Sequence, residues 1–141
     1  MSDVKIYSTS YIFKVWVTTI GLSPLIYLFV LASHPPTLDE IPDIFNVALV
    51  MGIFGVLFSA PFLLIYYIVF TLLKKTTLDE ILIKLILILV TVTGIISTLY
   101  IFLEIRTANF TTLFGKLQNV YIGVNIAATF IFRIKIPQKV L

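Results

Sequence analysis

Followed along the chain, apolar positions gather into four long runs separated by short polar breaks. The runs cover about residues 12–33, 44–73, 78–103 and 117–136. They do not alternate apolar and polar positions as barrel strands do. Each meets or approaches the ~20 residues that a helix needs to cross a ~30 Å hydrocarbon layer. Backbone in lipid must satisfy its own hydrogen bonds, so runs of this kind are expected as helices. The pattern predicts an all-α integral membrane protein: a compact four-transmembrane-helix bundle forming one domain. The fourth run is the least apolar, with Asn125 in its middle and Arg133 near its end.

The breaks carry helix punctuation. Pro35, Pro36 and Pro42 mark an extended turn over 34–43, and Lys74–Thr77 a tight one. Thr37-Leu38-Asp39-Glu40-Ile41 recurs as Thr77-Leu78-Asp79-Glu80-Ile81. Each copy has the form of a capping box, in which Thr and Glu satisfy backbone amides at a helix start. The echo stops at five residues, so it reads as punctuation rather than as the trace of an inverted repeat. Glu80 and Lys84 also stand four apart in the favourable polarity. Phe110, Leu113, Phe114 and Leu117 form an amphipathic stripe within 109–117, expected to lie in the interface or to extend the fourth helix. The first run has the basic start of a secretory signal, but its length and the prolines behind it favour a retained helix.

Composition agrees with the pattern. Of 141 residues, 60% are hydrophobic and 12% charged, against about half and a quarter in a soluble domain. So short a chain has too little interior to hide that surplus.

Charge predicts orientation. Lys5 and Lys14, then Lys74, Lys75 and Lys84, then Arg133, Lys135 and Lys139 all fall on one side of the expected topology. The other side holds Arg106 and Lys116, and its first loop is acidic through Asp39, Glu40 and Asp43. Basic residues in short loops stay inside. Both termini are therefore expected to be cytoplasmic, in a plasma (inner) membrane. Lys74, Lys75, Lys84, Arg133, Lys135 and Lys139 would form a cytoplasmic basic face for anionic headgroups or a cytoplasmic protein partner. Tyr7, Tyr11, Phe13, Trp16, Tyr66, Tyr67 and Phe70 toward the inner boundary read as an anchoring belt, as do Tyr100, Phe102 and Tyr121 toward the outer one.

Two packing signals stand out. Ala48, Gly52, Gly55 and Ser59 lie on one stripe of the second helix, with shorter versions at Gly123 and Ala127 and at Thr91, Gly94 and Thr98. Small residues so spaced let membrane helices approach closely, within one bundle or between copies in a homo-oligomer. Pro61 should kink the second helix, which is long enough that its end near 66–73 is expected to emerge into the cytoplasm.

Candidate chemistry is sparse. The chain has no cysteine and one histidine, His34, so thiol relays and multi-histidine metal or haem sites are not expected within one chain. No carboxylate falls at mid-span and no Gly-rich phosphate loop occurs. Asn109-Phe110-Thr111 has the form of a glycosylation acceptor. No cofactor, no catalytic residues and no direct nucleic-acid binding are expected. The intramembrane polar side chains are Asn125, Thr91 and Ser97, with Thr129 beside them; Asn125 is expected to point inward and clasp Thr91 or Ser97, or to line a polar path. These features predict a non-enzymatic membrane subunit that oligomerises and anchors a cytoplasmic partner. The alternatives are a pore-forming or membrane-perturbing effector, as in a bacterial conflict system, and a small transporter.

Overall fold

The computed structural model describes residues 9–31, 37–76, 78–103 and 113–134. Within them lie four helices, α1 (Ser10–Leu31), α2 (Ile41–Leu73), α3 (Glu80–Leu103) and α4 (Leu113–Ile131), and no strand. By length and composition α1, α2 and the Glu80–Thr98 stretch of α3 can each cross a membrane. The 19 residues of α4 span about 28 Å at 1.5 Å per residue. Lys116, Gln118, Asn119 and Asn125 make α4 the least apolar of the four, and it is not among the three helices long and apolar enough to count as spans.

The helix ends shift from the sequence expectation for local reasons. α2 starts at Ile41 and takes in Pro42 and Asp43, which the pattern assigns to the preceding turn. Proline is at home in a first helical turn, where its missing N–H would have no partner anyway, and Asp43 suits the positive end of the dipole. Just before the helix the Thr37 N–H donates to the Glu40 carboxylate at 2.9 Å, the Glu half of the expected capping box. Thr77 of the second box lies outside the described residues. α4 begins at Leu113 rather than 117, so the amphipathic stripe from Leu113 onward belongs to the helix; 109–112 and the sequon Asn109 lie outside the described residues. α4 also stops at Ile131, short of 136. Pro61 sits inside α2 as expected, and α1 contains a second proline, Pro24, that the pattern does not flag.

The helices form a ring in chain order. α1 packs on α2 and α4, α3 packs on α2 and α4, and no close backbone approach crosses the diagonals among the described residues. Contacts between Tyr11 and Thr129 and between Thr19 and Asn125 make α1 and α4 antiparallel. The end where α1 and α3 begin and α2 and α4 finish is the base. There Tyr11, Ile12 and Val15 meet Tyr66 and Phe70, Ile83 and Leu87, and Ala128 and Ile134 in one buried cluster. Tyr11 and Phe70 stack with ring centroids 6.0 Å apart. The 66–73 end of α2 therefore stays clamped in the bundle, since Tyr66 and Phe70 are buried in that cluster. Away from this seam α2 turns large apolar side chains outward from Phe45 to Leu72, the surface a helix presents to lipid.

Candidate functional site

The base is held by charge as well as packing. The Lys84 ammonium lies 3.2 Å from Glu80 Oε1, one turn back on α3. The same carboxylate oxygen accepts from the Ile134 N–H just past α4, at 3.4 Å. Lys84 also stands 6.0 Å from the centre of the Phe130 ring. One carboxylate thus ties the start of α3 to the end of α4. A buried ammonium needs such a partner, because its desolvation is otherwise uncompensated. Lys84, expected on an open basic face, is 7% exposed and committed to this pair. Lys75 and Arg133 are exposed, Lys74 is half-buried, and Lys135 and Lys139 lie outside the described residues.

Above the base the helices part around a cavity of about 440 Å³. Val15 and Tyr66 stand between packed base and open space, belonging to both. The walls come from all four helices and are almost wholly apolar. On the α1–α2 side the Trp16 indole N–H donates to Ser59 Oγ at 3.0 Å. On α3, Thr91 and Thr98 donate their hydroxyls to Leu87 and Gly94 carbonyls, each at 2.8 Å. Gly94 lets α3 approach closely, as a Cβ there would stand 3.0 Å from the Phe62 ring. On α4, Tyr121 and Asn125 lie one turn apart and both line the space.

Asn125 is the polar centre. It is 2% exposed, and its Nδ2 donates to Thr19 Oγ1 of α1 at 3.3 Å. Thr19 in turn donates to the Val15 carbonyl at 2.8 Å. A carbonyl only accepts, so the Thr19 proton is committed there and Thr19 offers Asn125 only lone pairs; that fixes which end of the amide faces it. Asn125 Oδ1 is left buried with no hydrogen-bond partner. Tyr66 Oη, beside the Tyr11 hydroxyl, likewise makes no hydrogen bond of ordinary geometry.

The expected Asn125 partner differs from the observed one. It is Thr19 on α1, whereas Thr91 bonds along its own helix and Ser97 does not line the cavity. Of the α2 stripe, Ala48 and Gly52 border a groove against α1. Gly55 sits where an added Cβ would meet Ile20 at 3.4 Å and the Tyr121 hydroxyl at 3.5 Å. Ser59 is the Trp16 acceptor. The stripe thus faces α1 within the chain. Gly123 and Ala127 are exposed instead, and nothing lies within 4 Å of a Cβ built at Gly123.

Sequence reasoning missed Trp16, Thr19 and Tyr121 as cavity residues and assigned Tyr11, Trp16, Tyr66, Phe70 and Tyr121 to boundary belts. Tyr11, Tyr66 and Phe70 are buried, and Trp16 and Tyr121 line the cavity. Phe13, Tyr67 and Tyr100 are exposed; Tyr7 and the Phe102 side chain lie outside the described residues. A signal existed: Tyr11, Val15, Thr19, Ser23 and Tyr27 recur every fourth residue and all are buried, a stripe facing the bundle whatever its polarity.

No cluster of three or more His, Asp or Glu able to hold a metal occurs among the described residues. Comparison with protein-family models, with curated proteins and with solved structures finds no match to this chain.

Proposed function

We propose that the chain is a small non-enzymatic membrane protein, crossing the bilayer four times with both termini cytoplasmic. In this reading it self-associates through α4 and presents its basic base to a cytoplasmic partner or to anionic headgroups. The outward face of α4 carries the proposal. α4 is the least apolar helix, yet Asn119, Gly123 and Ala127 are all exposed, and Gly123 has open space before it. Facing lipid, such a surface forgoes both packing and polar contacts. A second copy would supply close backbone approach at Gly123 and a bonding partner for Asn119. A two-fold pairing brings like positions near the axis, which makes the contact self-complementary.

Lys74, Lys75 and Arg133 at the base favour the inside orientation, and in this reading α4 is the crossing that returns the chain to that side. The pore reading draws less support, since Tyr11, Phe70, Ile83, Leu87 and Ile134 fill the base and block a path through one chain.

The chain has no cysteine, so one introduced thiol reports alone. Under mild oxidation in native membranes, Gly123→Cys should give a disulfide-linked dimer. Val17→Cys, 58% exposed on α1, should not. Equal yields at the two positions, or no dimer at position 123, would overturn self-association through α4.

A further inference from the structure

The two halves of α2 are held very differently. Beyond Pro61, Tyr66 and Phe70 are locked into the base, whereas along 41–60 Ala48 alone is buried. Pro61 stands between the halves. It has no N–H for the Leu57 carbonyl one turn back, and its ring crowds that turn, which is where helices bend. A segment with few buried contacts, joined to the rest through a missing backbone bond, is the part of a fold that moves at least cost.

Open space flanks this outer arm on both sides. Phe54, Gly55 and Ser59 line the cavity, while Phe45, Gly52 and Val56 line the groove against α1, about 370 Å³ in volume. Trp16 and Ile20 of α1 line both spaces and so form the partition between them. The arm touches that partition near its lower end. Ser59 Oγ accepts from the Trp16 indole N–H at 3.0 Å while donating to the Val56 carbonyl at 3.4 Å. Gly55 sits where an added Cβ would stand 3.4 Å from Ile20. One turn further out the groove is open, with nothing within 4 Å of a Cβ built at Gly52.

We propose that α2 is hinged at Pro61, with its outer arm, 41–60, swinging out from the observed, seated position while 62–73 stays fixed in the base. The Trp16–Ser59 hydrogen bond is the latch. Seated, the arm closes against Trp16 and Ile20 and keeps cavity and groove apart. Swung away from α1, it releases the latch and joins the two spaces. Such a hinge confines the backbone change to a few positions between two rigid parts. The latch is a neutral hydrogen bond, so releasing it strands no charge, unlike the Glu80–Lys84 pair at the base.

Spin labels on pairs of introduced thiols test the hinge in the full chain, which has no cysteine of its own. Val50→Cys with Leu89→Cys reports the arm, and Leu72→Cys with Leu89→Cys reports the base. All three side chains are exposed and line neither cavity nor groove, and Leu89 lies just past Leu87, which is buried in the base. Distances are measured by double electron–electron resonance in lipid nanodiscs, with labelled protein diluted in unlabelled chain so that only pairs within one molecule count. The arm pair should show a distribution about twice as wide as that of the base pair. Ser59→Ala should move population toward the longer arm distance, and Ser59→Thr, which keeps the hydroxyl, should not. Pro61→Ala restores the N–H and should narrow the arm pair to the width of the base pair. Equal widths in the unaltered protein would overturn the proposal, as would an arm distribution that neither Ser59→Ala nor Pro61→Ala changes. Should Pro61→Ala fail to fold, the comparison of pairs and Ser59→Ala decide alone. Dilution removes any pairing between copies, so the hinge and the α4 contact can fail separately.

Discussion

The base and the cavity half of this bundle use the same four helices and the same apolar alphabet, yet they are built to different ends. At the base, side chains from all four helices meet, and Tyr11, Phe70, Ile83, Leu87 and Ile134 are each at most 1% exposed. A carboxylate and an ammonium there satisfy one another and hold the Ile134 N–H. Two or three turns along, glycines, threonines and an asparagine take positions that bulky residues would fill, and a space remains. Lipid is as apolar as leucine, so burial alone cannot hold membrane helices together; fit and hydrogen bonds must. The difference implies a division of labour in which the base supplies cohesion and the cavity half is left open.

The sharpest way to break that division is to remove the carboxylate at the base. Glu80→Ala leaves a buried ammonium with no counter-charge and an Ile134 N–H without its acceptor. Breaking a buried pair costs about 3–5 kcal/mol. Because the Glu80 side chain keeps 27% exposure, a loss near 3 kcal/mol is expected, at the lower end of that range. Replacing both partners, Glu80→Met with Lys84→Met, should recover most of it, since no charge is then stranded. Thermal unfolding in detergent, followed by circular dichroism, checks both. A single variant as stable as the unaltered protein would mean that the charges contribute no cohesion.

A smaller effect compares two phenylalanines of α2. Phe70 is fully buried in the base, and Phe54 is 53% exposed beside the cavity. Phe70→Ala should lose about 2 kcal/mol, mostly the term for the cavity left behind, because lipid removes the transfer from water. Phe54→Ala should stay within about 0.5 kcal/mol. Steric-trap or denaturant unfolding in bicelles measures the pair. Equal losses would show that the two halves share cohesion, against the division drawn above.

How much of this is legible in the amino-acid order follows from what membrane helices show in sequence. Spanning runs are nearly continuous, so the four helices and their order can be read directly. Their ends cannot, because Pro42 serves equally in a turn or a first helical turn, and because Gly115 and Lys116 mask a helix start at Leu113. Asn125 is legible as an inward group, since its amide is expensive against lipid. Its partner is not: α4 touches both α1 and α3, and rotation about the helix axis decides between Thr19 and Thr91. The Glu80–Lys84 pair is legible from spacing, while the tie from Glu80 to Ile134, some fifty residues away, is not. The cavity is the least legible feature, because no single run records the space that four runs leave between them.

The third prediction tests the two small-residue seams, which look alike in sequence and differ in space. Gly94 on α3 and Gly52 on α2 each sit in a stripe of small residues. A side chain at Gly94 starts 3.0 Å from Phe62 Cδ1, whereas at Gly52 nothing lies within 4 Å. Gly94→Leu must therefore push Phe62 aside. Overpacking of this kind costs about 1–3 kcal/mol. The lower end is expected, because Phe62 also lines the cavity and its ring can move into that space. The displacement has a second signature: a Phe62 ring turned inward shortens the room beside Trp16, so the emission of Trp16 should shift although the substitution lies on another helix. Gly52→Leu enters the open groove between α1 and α2 and should change neither melting nor emission. If instead Gly52→Leu melts lower and Gly94→Leu does not, the close seam lies between α1 and α2, and the cavity borders the looser of the two.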